Sequence, residues 1–132
     1  MLFYPHTITL FGVGVYARKI INFKIMKLAM IISTNNPETN WNALRLANFA
    51  VKQNDEVKLF LIGQGVEYES GSSEKFNIQA QVKEFLLSDK TQILACGTCL
   101  KLRQQEVTET CPISTLKDLH SLIKESDKIL TF

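Results

Sequence analysis

An α/β domain with a mainly parallel sheet between helical layers is the fold this sequence predicts. Three observations lead there. Short, nearly continuous apolar runs recur along the chain, the pattern of strands buried on both faces. Amphipathic helical stretches alternate with them, and that order implies parallel strands joined by right-handed crossovers. No repeat, low-complexity segment or linker divides the chain after its first 25 residues, and 132 residues is the usual size of one domain.

The elements follow in order from Met26. "KLAMIIS", Lys27 to Ser33, is the first strand. "NNPE" supplies turn residues, and Thr39 or Asn40 is placed to cap a helix. Leu44, Ala47 and Val51 recur at helical spacing over Trp41 to Lys52, and Ala43 and Ala50 widen the stripe. Asn54 ends that helix, because Asn tolerates the left-handed cap conformation. "EVKLFLI", Glu56 to Ile62, is the second strand. Gly63, Gly65 and "ESGSSE" read as the most polar and mobile loop. Ile78, Val82, Phe85 and Leu86 mark an amphipathic helix, "TQILAC" (Thr91 to Cys96) the third strand, and Gly97 to about Gln105 a short helix. After "EVTET", Cys111-Pro112 reads as a helix-entry loop. Thr115 with Asp118 has capping-box spacing, and Leu116, Leu119, Leu122 and Ile123 form the apolar face of the last helix. "KILTF", Lys128 to Phe132, closes the sheet.

The first 25 residues stand apart. Thr7 to Ala17 is apolar, but its charges (Arg18, Lys19, Lys24) follow the run, unlike those of a signal peptide. It also falls short of the roughly 20 residues of a membrane span. The expected organisation is an extension over residues 1–25, from a mis-assigned start or as an added edge strand through Ile8, Leu10, Val13 and Val15, ahead of a domain over 26–132.

Bulk composition narrows the function classes. A net charge of +2 with no Lys/Arg tract argues against nucleic acid or an anionic membrane as partner. Three cysteines are odd in number and too few for a secreted disulfide framework, so a reducing cytoplasm is expected.

In open parallel sheets, sites form beyond the carboxyl ends of the strands. Three segments end there: Ser33 to Asn36, Gly63 to Val66, and Cys96 to Cys99. The third carries the chemistry. Cys96 falls where strand gives way to helix, Gly97 permits the turn, and the N–H groups of the helix start favour a thiolate or persulfide. Four readings of "CGTC" compete: packed small residues, a thioredoxin-type thiol pair, a zinc site with Cys96, Cys99, Cys111 and His120, or a single nucleophilic or sulfur-carrying cysteine. The thiol pair lacks the usual position near the first strand, and the zinc set lacks a second paired spacing. Cys111 is either a turn residue before Pro112 or an accessory thiol. Neither His6 nor His120 is placed as a base. Gly63-Gln64-Gly65 lacks the Lys-Ser/Thr ending of a phosphate-binding loop.

"NNPETNWNALRLANFAV", "VKLFLIGQGVE", "ILACGTCLKLR" and "CPISTLKDLHSLIKESDKILTF", in that order, resemble the DsrE/DsrF-like (DsrE/F/H) sulfur-relay family over Met26 to Phe132. The resemblance implies a flavodoxin-like three-layer sandwich, often assembled as homo- or hetero-oligomers such as trimers and hexamers. It implies sulfurtransferase-like chemistry in which a cysteine accepts sulfur as a persulfide and passes it to a partner thiol, an exchange that by its own chemistry needs no metal or organic cofactor. Donors would be proteins or small persulfide or thiosulfate compounds. Cys96 matches the accepting cysteine and Cys99 a second cysteine present in some branches; lying in the first turn of the same helix, Cys99 would either resolve a Cys96 persulfide or modulate its pKa. Gly65 and Val66 match a "GV" near the cleft, which Gly97, Thr98 and Cys111 would share. Asn54 and Gln104 stand where the pattern has glycines. From a different class, the same chain reads as a non-catalytic oligomeric module holding a ligand or protein with its Gly63 to Glu74 loop.

Overall fold

A computed structural model describes residues 24–108 and 111–132. The predicted extension and His6 lie outside the described residues, apart from Lys24 and Ile25. Ten elements follow one another: β1 (Lys27–Ile32), α1 (Pro37–Lys52), β2 (Glu56–Leu61), a 3-10 turn (Gly63–Glu67), α2 (Ile78–Phe85), β3 (Thr91–Cys96), α3 (Gly97–Leu102), β4 (Ile113–Ser114), α4 (Leu116–Glu125) and β5 (Lys128–Thr131). The five strands form one parallel sheet in the order β4-β3-β2-β1-β5.

Side-chain alternation along the strands divides the core. On one face, Leu28, Met30, Ile32, Val57, Leu59, Leu61, Ile93 and Ala95 pack with Leu44 and Ala47 of α1, Ile78 and Phe85 of α2 and Leu100 of α3. Each fully buried Leu, Ile or Phe contributes about 1.5–3 kcal/mol through removal from water. The other face is thinner. Among the described residues, Ala29, Phe60 and Cys96 pack with Leu122 of α4, with Ile31, Ile62, Leu94, Cys99 and Leu119 at the margin. The sheet carries helices on both faces, as expected, and among the described residues Lys58 and Gln92 line an open groove beside α4. Of the four apolar positions predicted for α4, Leu122 is buried, while Leu116 and Ile123 are exposed.

Helix boundaries follow local chemistry. The first helix begins earlier than its apolar stripe, since the Asn36 side chain accepts the Thr39 N–H at 2.9 Å and Pro37 opens the first turn. Asn36, not Thr39 or Asn40, is the cap, contributing about 1 kcal/mol. Asn40 is instead fully buried, its Nδ2 donating to the Thr34 carbonyl at 2.8 Å. Asn54 takes the left-handed conformation at φ 73°, as predicted, and Gln104 does so at φ 51°. Both positions that lack the family glycine are thus the ones whose backbone favours it. The short helix ends at Leu102 rather than near Gln105 for the same reason. The Thr115–Asp118 capping box forms as predicted.

Two further corrections concern loops. The residues after Pro112 form an edge strand, β4, in which Ile113 pairs with Ala95 and Ser114 with Cys96. The polar loop after the 3-10 turn is also pinned to α1. Phe76 meets the Trp41 ring at 5.7 Å, Arg45 lies over that indole at 4.3 Å, and a Cβ at Gly71 would lie 2.8 Å from the Pro37 Cβ.

Candidate functional site: the carboxyl edge at Cys96

Helices α1, α2 and α3 lie on one face of the sheet and α4 on the other. The connections that leave β3 and β4 therefore depart to opposite faces, and a crevice opens between the carboxyl ends of these two strands. Such a switch point is where open α/β sheets bind ligands. A groove of about 570 Å³ occupies it, lined by Cys96, Gly97, Thr98 and Lys101 from the β3 side and by Ile113, Ser114, Thr115, Leu116 and Lys117 from the β4 side. Gly97 makes the crevice possible, because a Cβ there would lie 2.6 Å from the Ile113 side chain.

Cys96 is the last residue of β3 and the cap residue of α3. Its side chain points toward the α4 face and is only 7% exposed. The thiol pKa is raised: burial is the largest cause, contact with Cys99 adds to it, and the facing N–H groups of Cys99 and Thr98 pull the other way. The expected thiolate-favouring helix start is therefore present but outweighed in the resting fold by desolvation.

Cys99 sits one turn on and is half-buried. Its Sγ accepts the Gly63 N–H at 3.2 Å, which ties the end of β2 to the cysteine helix. Gly63 adopts φ 56° to present that N–H, and Gly65 brings the turn against β1, where a Cβ would lie 1.9 Å from the Ile32 carbonyl oxygen. Gly65 and Val66 are thus buried supports beneath the cysteine loop. Neither lines the groove.

Glu67 joins all three strand ends. One carboxylate oxygen pairs with Arg103 Nε at 2.9 Å, and the other accepts from Asn35 Nδ2 at 3.3 Å. Arg103 also donates to the Cys99 carbonyl at 3.3 Å. The sequence reading overlooked Asn35, Glu67 and Arg103. Their only signal was position, one in each of the three strand-end segments or just beyond.

Cys111 lies elsewhere. It faces Tyr68 and Glu69, and burial followed by the Glu69 charge pushes its pKa up to about 11. It does not line the groove. His120 is exposed on α4. Among the described residues no group of three or more His, Cys, Asp or Glu side chains comes together as a metal site would require. The zinc reading of Cys96, Cys99, Cys111 and His120 thus has no geometry behind it. All three cysteines are free thiols.

A model of the DsrE/DsrF-like family matches residues 26–132. The chain belongs to that family. Curated relatives of the DsrE/DsrF-like chain include an uncharacterized protein of Methanocaldococcus jannaschii, 33% identical over 116 residues, covering 81% of this chain and all of that protein. A second, from Methanopyrus kandleri, is 30% identical over 100 residues, covering 72% of this chain and 83% of its own length. Among solved structures, the ychN protein of E. coli superposes with a TM-score of 0.67 at 28% identity, covering 81% of this chain and all of that one. The parallel five-stranded α/β architecture is therefore that of the DsrE/DsrF-like fold. No helix among the described residues is long and apolar enough to cross a membrane.

Proposed function

We propose that this DsrE/DsrF-like protein is a sulfur-relay, sulfurtransferase-like carrier that holds sulfane sulfur as a persulfide on Cys96. One observation carries the reading: in a chain of this family, Cys96 ends β3 at the switch-point crevice and lines its groove. Deprotonated Cys96 attacks the outer sulfur of a persulfide donor, the donor's S–S bond breaks, and the donor leaves as a thiolate. An acceptor thiolate then attacks the outer sulfur on Cys96, takes it as a new persulfide and frees the Cys96 thiolate. No redox cofactor enters either step.

The exposed groove wall of Ile113, Leu116, Lys101 and Lys117 suits an anionic donor or a partner's thiol-bearing segment. Assembly as a homo-oligomer such as a trimer or hexamer, a reducing cytoplasmic setting, and residues 26–132 as the working unit behind an extension belong to the same proposal.

One observation favours the alternative of a non-catalytic binding module: Cys96 is nearly buried and its pKa is raised. Intact-mass measurement after exposure to persulfide, polysulfide or thiosulfate separates the two. The carrier gains the mass of one sulfur, and Cys96→Ser does not. Equal uptake by Cys96→Ser, or none by the parent, refutes the carrier.

A further inference from the structure

The cap residue of a helix and the third residue within it have facing side chains, the geometry that a capping box exploits. In α3 these two positions are Cys96 and Cys99. Cys96 belongs to the cluster on the α4 side of the sheet, and Cys99 packs against that cluster as well as against the core on the other face. The rotamer of Cys99 is set from outside its own helix by the Gly63 N–H at 3.2 Å, and its backbone by Arg103 on its carbonyl. Cys111 lies instead against Tyr68 and Glu69 and does not line the groove.

Resting on the carrier reading, we infer that Cys99 discharges a Cys96 persulfide within the same chain, giving the protein a persulfide-reductase activity. The Cys99 thiolate attacks the inner sulfur, that of Cys96 itself. The bond from Cys96 sulfur to the outer sulfur breaks, hydrosulfide leaves with the bonding pair, and a Cys96–Cys99 disulfide forms. The sulfane sulfur is reduced to sulfide while the two cysteines are oxidised, so no further oxidant is needed. A dithiol or two monothiols reduce the disulfide and reset the pair. Transfer to an acceptor then succeeds only when the acceptor arrives before Cys99 attacks, so the half-buried thiol acts as a timer on the load.

The test uses the full chain carrying Cys111→Ser, with and without Cys99→Ser. Each is loaded with inorganic polysulfide, freed of excess reagent without oxygen, and followed by sulfide release and intact mass. The Cys99-containing protein releases one hydrosulfide per chain and finishes two hydrogens lighter than its reduced form. Cys99→Ser keeps the added sulfur and releases it at least about tenfold more slowly, until an external thiol is supplied. Equal retention by both proteins, or sulfide release without loss of the two hydrogens, overturns the inference and leaves the carrier standing. If neither protein takes up sulfur, the carrier falls and the discharge with it. Cys99→Ala repeats the comparison should Cys99→Ser fail to fold.

Discussion

Gly65→Ala provides a severe test of how the 3-10 turn meets the sheet. The new Cβ would lie 1.9 Å from the Ile32 carbonyl oxygen and 2.6 Å from its carbon. A relaxed carbon–oxygen contact is about 3.3 Å, so about 1.4 Å of separation has to be found. The neighbour is strand backbone, and that same oxygen already accepts the Ile62 N–H at 3.0 Å. Neither side yields without breaking this bond or shifting the turn. A destabilisation of about 3 kcal/mol follows, the upper end of overpacking effects. Gly63→Ala is the control. Its Cβ meets nothing closer than 4.0 Å, and only the left-handed φ of 56° opposes it, at about 1–2 kcal/mol. Urea unfolding reads both as midpoint shifts at constant slope. A Gly65→Ala loss no larger than that of Gly63→Ala refutes the packing argument. Displacing the turn also withdraws the Gly63 N–H from Cys99, so alkylation of Cys99 should change in Gly65→Ala.

Gln104→Gly relieves the left-handed strain at φ 51° and should raise stability by about 0.5–1 kcal/mol, seen as a higher melting temperature. Asn54→Gly should gain less, because Asn tolerates this conformation and its side chain accepts from Lys90 Nζ. Glu67→Gln should remove about 1 kcal/mol by urea unfolding, discounted for the partial exposure of the Arg103 pair, and the loss should shrink in molar salt. Alkaline pH should destabilise the fold through Cys111. Its folded pKa is raised from 9.0 to about 11, so its contribution is full below pH 9.0 and is lost as pH rises through that window. Cys111→Ser should flatten that limb of a stability–pH profile. At acid pH the Asp118 carboxyl acts with the opposite sign. Its pKa is lowered from 3.8 by the Thr115 N–H and hydroxyl, so the capping box is complete above 3.8 and lost as pH falls through the lower folded value. Asp118→Asn should remove that dependence.

Much was legible in the chain itself, for physical reasons that are local. Short, mostly apolar runs bounded by turn residues mark strands, so "KLAMII", "EVKLFL" and "TQILAC" announced themselves even though Lys58 and Gln92 face an open groove. The left-handed Asn54 and the Thr115–Asp118 box could be read because each is decided by one or two neighbouring residues. The cysteine pair at a strand end, and the family that contains it, were likewise visible without coordinates.

Tertiary structure decided the rest. Edge strand β4 has two residues and exists only because β3 offers it partners, so nothing in "CPIS" alone distinguishes it from a loop. The switch-point crevice depends on that strand. The Glu67–Arg103–Asn35 tie joins residues far apart in sequence, and the pKa of Cys96 depends on how deeply the fold buries it. Periodicity records which face of its own element a residue occupies. Which elements meet, and how much water is left between them, is settled only when the layers close.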